Sequence, residues 1–304
     1  MSPSLLMTKM PMTPHRVMAM VMAVAVLCLV FSAFRAPAKT LKLGAVLEQP
    51  SAAAVDALHV KRDTSGRTMA DPRFWHTFNF QSESIPASVT EAAPKVTVTT
   101  NNVNIMGANT FYREAQVPAG VEASGEVVVL LHGAAFKSAT WLELNTINLL
   151  AAMGHRVIAV DLPGFGESKD AGAVKDKAEY LRSLLAQLSV SSPILVSPSM
   201  SGGYSIPFLT QHPEDLAGYV PVAPVGTERG KAKYPELQVP TLIIYGEKDA
   251  GLGPTSRDDL SNIPTSQAVQ LPGAKHPAYL DQPEMFHTLL YNFIKQVHAH
   301  RAVV

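Results

Sequence analysis

From about Lys95 onward, short apolar runs of strand length alternate with segments of helical period, and this alternation restricts the chain more than any other feature. Val127 to Leu131 (VVVLL), Arg156 to Val160 (RVIAV), Pro193 to Val196 (PILV), Tyr219 to Val222 (YVPV) and Thr241 to Tyr245 (TLIIY) read as buried strands. Thr140–Met153, Lys175–Leu188, Met200–Thr210 and Glu284–His298 read as the helices between and after them. Near-continuous apolar strands separated by helices imply an α/β fold, a mostly parallel sheet covered by helices on both faces. Val96–Thr100 and Thr110–Gln116 alternate more evenly, as an antiparallel edge hairpin does. In such sheets reactive groups gather at the carboxyl ends of the strands, so the residues just beyond each strand are the candidates.

After PILV comes Ser197-Pro198-Ser199-Met200-Ser201-Gly202-Gly203, leading into a helix. A serine on a tight strand-to-helix turn is the nucleophile elbow, usually spelled G-x-S-x-G. Small residues are required two before and two after the nucleophile, because strand and helix backbones nearly touch there. Here Ser197 and Ser201 fill those slots. Two frames fit, with Ser199 or Ser201 as the reactive residue; Ser199 is preferred because the bend follows the strand more closely. Ser201→Gly is then expected to be tolerated.

A serine hydroxyl needs a base, and the base needs an orienting acid. Downstream, TLIIY ends in Gly246-Glu247-Lys248-Asp249, and Leu271-Pro272-Gly273-Ala274-Lys275-His276-Pro277 places a histidine in a loop. Ser199, Asp249 and His276 thus stand in the order Ser, acid, His. Glu228 is the alternative acid and Asp281 a weaker one; His212, in Gln211-His212-Pro213, is expected to end the elbow helix. Leu130-Leu131-His132-Gly133-Ala134-Ala135 would run beneath the nucleophile, giving the N–H groups of Ala134 and Met200 as an oxyanion hole. His132 and Asp161 are read as turn-stabilising groups.

The segments LLHGAAF, DLPGFGES, LVSPSMSGGYSIPFL, LIIYGEKD and GAKHPAYLDQPE resemble the α/β-hydrolase superfamily. Within it, Ser-Pro-Ser-x-Ser-Gly followed by Tyr-Ser-x-Pro-Phe-Leu is similar to the family called α/β-hydrolase domain-containing protein 14. The resemblance covers roughly residues 97–297. It implies an α/β-hydrolase fold and a serine hydrolase acting on small acyl groups through Ser199, Asp249 and His276, with deacylation of acetylated amines in the family's soluble branch.

Between Val225 and Val239, where larger hydrolases insert a lid, there are only about fifteen residues, with Glu228, Arg229, Lys231 and Lys233 among them. No sizeable lid domain is expected, and a short charged connection shelters no long acyl chain. A small acyl ester or amide is therefore the expected substrate. The competing reading is a catalytically silent hydrolase-fold protein that binds or scaffolds at a membrane.

The rest of the chain is of a different texture. Residues 1–16 are a short tail. Val17 to Phe34, eighteen residues with no charge, are long enough for one transmembrane helix, flanked by Arg16 and Arg35. A signal anchor into the lipid bilayer is expected; Ala36-Pro37-Ala38 also permits a cleaved signal peptide. The charges on either side do not decide orientation, and the family resemblance implies a single-pass type II membrane protein. Residues 35–94 read as a partly disordered tether carrying one aromatic patch, Phe74 to Phe80, and 95–304 as the catalytic domain. Twenty-five basic and 25 acidic residues balance, leaving no excess charge for nucleic acid. A lone cysteine excludes an intramolecular disulfide and a cysteine-based zinc site. No metal and no cofactor are expected; His298 and His300 are read as a solvated tail.

Overall fold

The computed structural model describes residues 66–69 and 71–302. An eight-stranded sheet organises them, with strands β1 (Val98–Ile105), β2 (Ala108–Ala115), β3 (Val127–Leu130), β4 (Arg156–Val160), β5 (Ile194–Pro198), β6 (Gly218–Val222), β7 (Thr241–Gly246) and β8 (Ser266–Leu271). Their spatial order is β1-β2-β4-β3-β5-β6-β7-β8. β1, β2 and β4 are antiparallel neighbours; every other pairing is parallel. The expected edge hairpin is present and longer than its apolar alternation suggests, because the Asn and Thr residues of β1 continue the ladder to Ile105.

The helices are α1 (Phe74–Thr77), α2 (Ala87–Ala92), α3 (Ser138–Glu143), α4 (Thr146–Ala152), α5 (Lys177–Gln187), α6 (Gly202–Gln211), α7 (Leu252–Leu260), α8 (Ala278–Asp281) and α9 (Pro283–Arg301). Alternate residues of the central strands feed two cores. Val128, Leu130, Val196 and Ile244 face α4 and α9; Val129, Leu131, Leu195 and Ile243 face α5, α6 and α7. The single helix expected over Thr140–Met153 is two, broken where Asn145 takes a left-handed φ of 63°, a conformation Asn tolerates better than most residues. The connection from β6 to β7 holds only the short turns Thr227–Gly230 and Tyr234–Glu236, so no lid domain is inserted there.

The tether reading needs correction. From Gly66 on, the described part of that segment is folded against the domain. Phe74, Trp75 and Phe80 are fully buried, and Trp75 and Phe80 pack at 6.0 and 5.8 Å between ring centroids from Phe293 of α9. The Trp75 indole N–H donates to the Met69 carbonyl at 3.1 Å, and Lys295 of α9 pairs with Glu83 at 2.8 Å. Large aromatic surface drives this docking, because each ring left in water would forfeit its burial energy.

The membrane expectation is also corrected. Among the described residues no helix is long and apolar enough to cross a membrane. Val17 to Phe34, with the rest of 1–65, lies outside the described residues, so the expected single-pass type II anchor finds no support in them.

Trp75→Ala should lower folding stability by about 3–5 kcal/mol, read from the denaturant midpoint. A chain shortened to begin at Lys95 should aggregate, since Phe293 would lose its cover. Two buried histidines add a pH dependence. Burial pushes His155 and His287 from 6.5 down to about 4, with the nearby His298 adding to the effect at His155. Because the folded values lie below the unfolded one, the stability they confer is complete above pH 6.5 and is lost on acidification toward 4, by roughly 1.4 kcal/mol per pH unit per histidine. His287→Gln should flatten that slope in urea midpoints measured from pH 7 to 4.5.

Candidate active site

Four parallel strands deliver their next residues to one end of the sheet. β5 ends at Pro198, and Ser199 follows in a left-handed conformation with φ 49°. A non-glycine residue with positive φ is strained and persists only where its surroundings over-determine it. Here the Val225 N–H donates to the Ser199 carbonyl at 2.9 Å, and the Ser201 hydroxyl donates to the Pro198 carbonyl at 2.7 Å. Gly202 allows the helix to start at this point: a Cβ there would collide with the Val225 carbonyl and Pro224.

Beyond β7 the chain turns through Glu247 and Lys248 to Asp249; beyond β8 it reaches His276. The two loops are stitched by backbone bonds, Glu247 N–H to the Leu271 carbonyl at 3.0 Å and Lys248 N–H to the Ala274 carbonyl at 2.7 Å. Gly246 makes the approach feasible, since a Cβ on it would meet the carbonyl oxygens of Lys275 and Ala274. The result is a continuous hydrogen-bonded line. Ser199 Oγ lies 2.8 Å from His276 Nε2, and His276 Nδ1 lies 2.6 Å from Asp249 Oδ2. The Asp249 side chain is 6% exposed and that of His276 37%, so the carboxylate is sheltered while the imidazole edge meets solvent. The second Asp249 oxygen accepts from the Gly251 N–H at 3.2 Å.

The structure brings together Ser199, Asp249 and His276, and sets the other candidates aside. Ser201 is fully buried, with its hydroxyl bonded to Ser197 and the Pro198 carbonyl. Glu228 is exposed and pairs with Arg229; Asp281 accepts from the Lys275 N–H at 2.7 Å, bracing the histidine loop. His212 ends α6 against the Phe208 ring. His132 is buried: its Nε2 accepts from the Leu162 N–H at 3.0 Å, so Nδ1 carries the proton donated to the Gly133 carbonyl at 2.8 Å. Burial lowers its pKa, keeping it neutral as this bonding requires. Asp161 accepts from the Ser138 and Glu167 N–H groups and organises the turn after β4. Of the two N–H candidates, Met200 directly follows Ser199, and Ala134 follows Gly133, where a Cβ would stand 3.5 Å from that of Ser199.

His298 is no solvated tail. Its Nδ1 lies 3.1 Å from the buried carboxylate of Glu126, which Arg301 also binds. Among the described residues, His212, Glu214 and Asp215 are the one group whose ligand atoms lie within 4.8 Å of one another. They precede β6, at the end of the sheet opposite Ser199.

A mostly parallel sheet with a serine elbow after its fifth strand, an acid after the seventh and a histidine after the eighth defines a hydrolase fold of the α/β class. Residues 128–229 match the model of the alpha/beta hydrolase family. Protein ABHD14A of Danio rerio is 46% identical over 198 residues, covering 62% of this chain and 72% of the relative. ABHD14B of Homo sapiens, provisionally named a protein-lysine deacylase, is 41% identical over 199 residues, covering 64% of this chain and 93% of its own. The crystal structure of a predicted CIB-like hydrolase from Thermoplasma acidophilum superposes with a TM-score of 0.60 at 26% identity, covering 66% of this chain and 99% of that one. The chain belongs to the α/β-hydrolase family, alongside the ABHD14 proteins.

Gly246→Ala should force the acid loop away from the histidine loop. We expect a stability loss of about 1–3 kcal/mol together with weakened Asp249–His276 bonding, read as loss of the downfield imidazole N–H proton resonance.

Proposed function

We propose that this protein is a serine hydrolase that cleaves small acyl esters or amides through an acyl-enzyme. The carrying observation is the line Ser199–His276–Asp249, with both links within hydrogen-bond length. His276 takes the hydroxyl proton as Ser199 Oγ attacks the acyl carbon. Asp249 fixes the tautomer by accepting from Nδ1 and stabilises the imidazolium; the imidazolium then protonates the leaving alcohol or amine. The N–H groups of Ala134 and Met200 receive the developing oxyanion. Water, activated by the same histidine, releases the acid.

The site's borders favour a small substrate. The β6–β7 connection offers short charged turns instead of an apolar cover, and the Phe136 ring lies 3.4 Å from where a Cβ on Gly133 would stand. A long acyl chain finds little shelter there. The name of human ABHD14B supports an acyl group on a lysine amine as a substrate class.

A fluorophosphonate probe should label the protein, and Ser199→Ala should abolish labelling and lower kcat by about 10³–10⁶. In an acyl chain-length series, activity should fall steeply beyond short chains. No labelling of folded protein would favour the non-catalytic scaffold reading, and a maximum at long chains would refute the size argument.

A further inference from the structure

Beneath the elbow lies a line of four hydroxyls that the chemistry above does not use. Tyr219 Oη is 2.8 Å from Ser205 Oγ, Ser205 Oγ is 2.6 Å from Ser197 Oγ, and Ser197 Oγ is 2.9 Å from Ser201 Oγ. Ser201 donates to the Pro198 carbonyl at 2.7 Å. All four residues are fully buried. Each hydroxyl has one proton to give, and a carbonyl can only accept, so the line has one consistent direction: Tyr219 to Ser205 to Ser197 to Ser201 to the Pro198 carbonyl. Every buried proton is then used.

The far end of this line matters. The Pro198 carbonyl belongs to the peptide that precedes Ser199, and the Ser199 carbonyl is held from the other side by the Val225 N–H at 2.9 Å. With both peptide planes fixed, the strained φ of 49° has no freedom to relax. Ser197 and Ser201 occupy the two slots that the usual elbow spelling gives to glycine, so in this chain those slots carry hydrogen-bonding groups that glycines cannot supply. The smallness of Ser201 is therefore only part of its role, and the expectation that glycine is tolerated there is replaced. Burial also pushes the Tyr219 phenol upward, so it stays a donor throughout the working pH range.

We propose that Ser201, Ser197, Ser205 and Tyr219 form a positioning device that aligns the Ser199 hydroxyl on His276 by fixing the Pro198 peptide. The inference rests on Ser199 being the nucleophile. It makes Ser205 on α6 and Tyr219 on β6 positioning residues, although neither touches the reacting atoms.

The test measures the second-order rate of fluorophosphonate labelling, with kcat and KM on a short-chain ester, for wild type, Ser205→Ala and Tyr219→Phe, well below the melting temperature of each. Both variants should lose about tenfold in labelling rate and in kcat, with KM within twofold, since a misaligned nucleophile costs rate and leaves binding intact. A merely structural role would lower the melting temperature and leave both rates unchanged; that result in Tyr219→Phe overturns the inference alone. If Ser205→Ala does not fold, Tyr219→Phe decides. A folded wild type that takes no label overturns the nucleophile reading, and this inference with it.

Discussion

A serine held at φ 49° between the last residue of a parallel strand and the first turn of a helix is the constraint on which this site depends. Left-handed backbone at a residue with a Cβ costs roughly 1–2 kcal/mol, and isolated chain would release it. Here it persists because the flanking peptides are fixed and Gly202 lies against Val225 and Pro224 without room for a side chain. The strain has a geometric return: Oγ stands clear of both strand and helix, at 2.8 Å from His276.

The two other members of the line sit in loops, yet those loops are not loose. Backbone bonds from Glu247 and Lys248 cross to the histidine loop, the Glu247 carboxylate accepts from the Gly273 N–H at 2.6 Å, and Asp281 braces Lys275. A sheltered carboxylate must find donors or lose its charge. Asp249 finds His276 on one oxygen and Gly251 on the other. Orientation of the imidazole thus follows from satisfying a buried acid.

Much of this was legible in the sequence because it obeys local rules. Apolar runs of strand length marked the five central parallel strands, and small residues around Ser199 marked the elbow. The order serine, acid, histidine followed from where strands end. Other features depend on partners distant in sequence. Helix α7, formed by LGPTSRDDL and not expected from the sequence, has no apolar stripe of its own and packs through Gly253 and Leu260. The aromatic patch at Phe74 to Phe80 looks like an exposed sticky segment until Phe293, more than two hundred residues on, is placed beside it. The role of the Ser201 hydroxyl is likewise hidden, since its line to Tyr219 crosses from elbow to helix to the next strand.

The missing lid is bound up with the same support. Where larger hydrolases insert a lid, this chain has a short connection tied directly to α7: the Thr227 hydroxyl donates to Asp259 at 2.7 Å, Lys231 pairs with Asp259 at 2.8 Å, and the Tyr234 hydroxyl donates to the Thr227 carbonyl at 2.7 Å. Asp259 is 5% exposed, so removing its partners would strand a buried charge. The same helix begins beside the acid loop, where a Cβ on Gly253 would lie 3.2 Å from that of Asp249. One short helix therefore anchors the connection over the sheet at one end and backs Asp249 at the other. A connection fastened this way is held to the sheet as a fixed border beside Ser199 and does not swing as a cover.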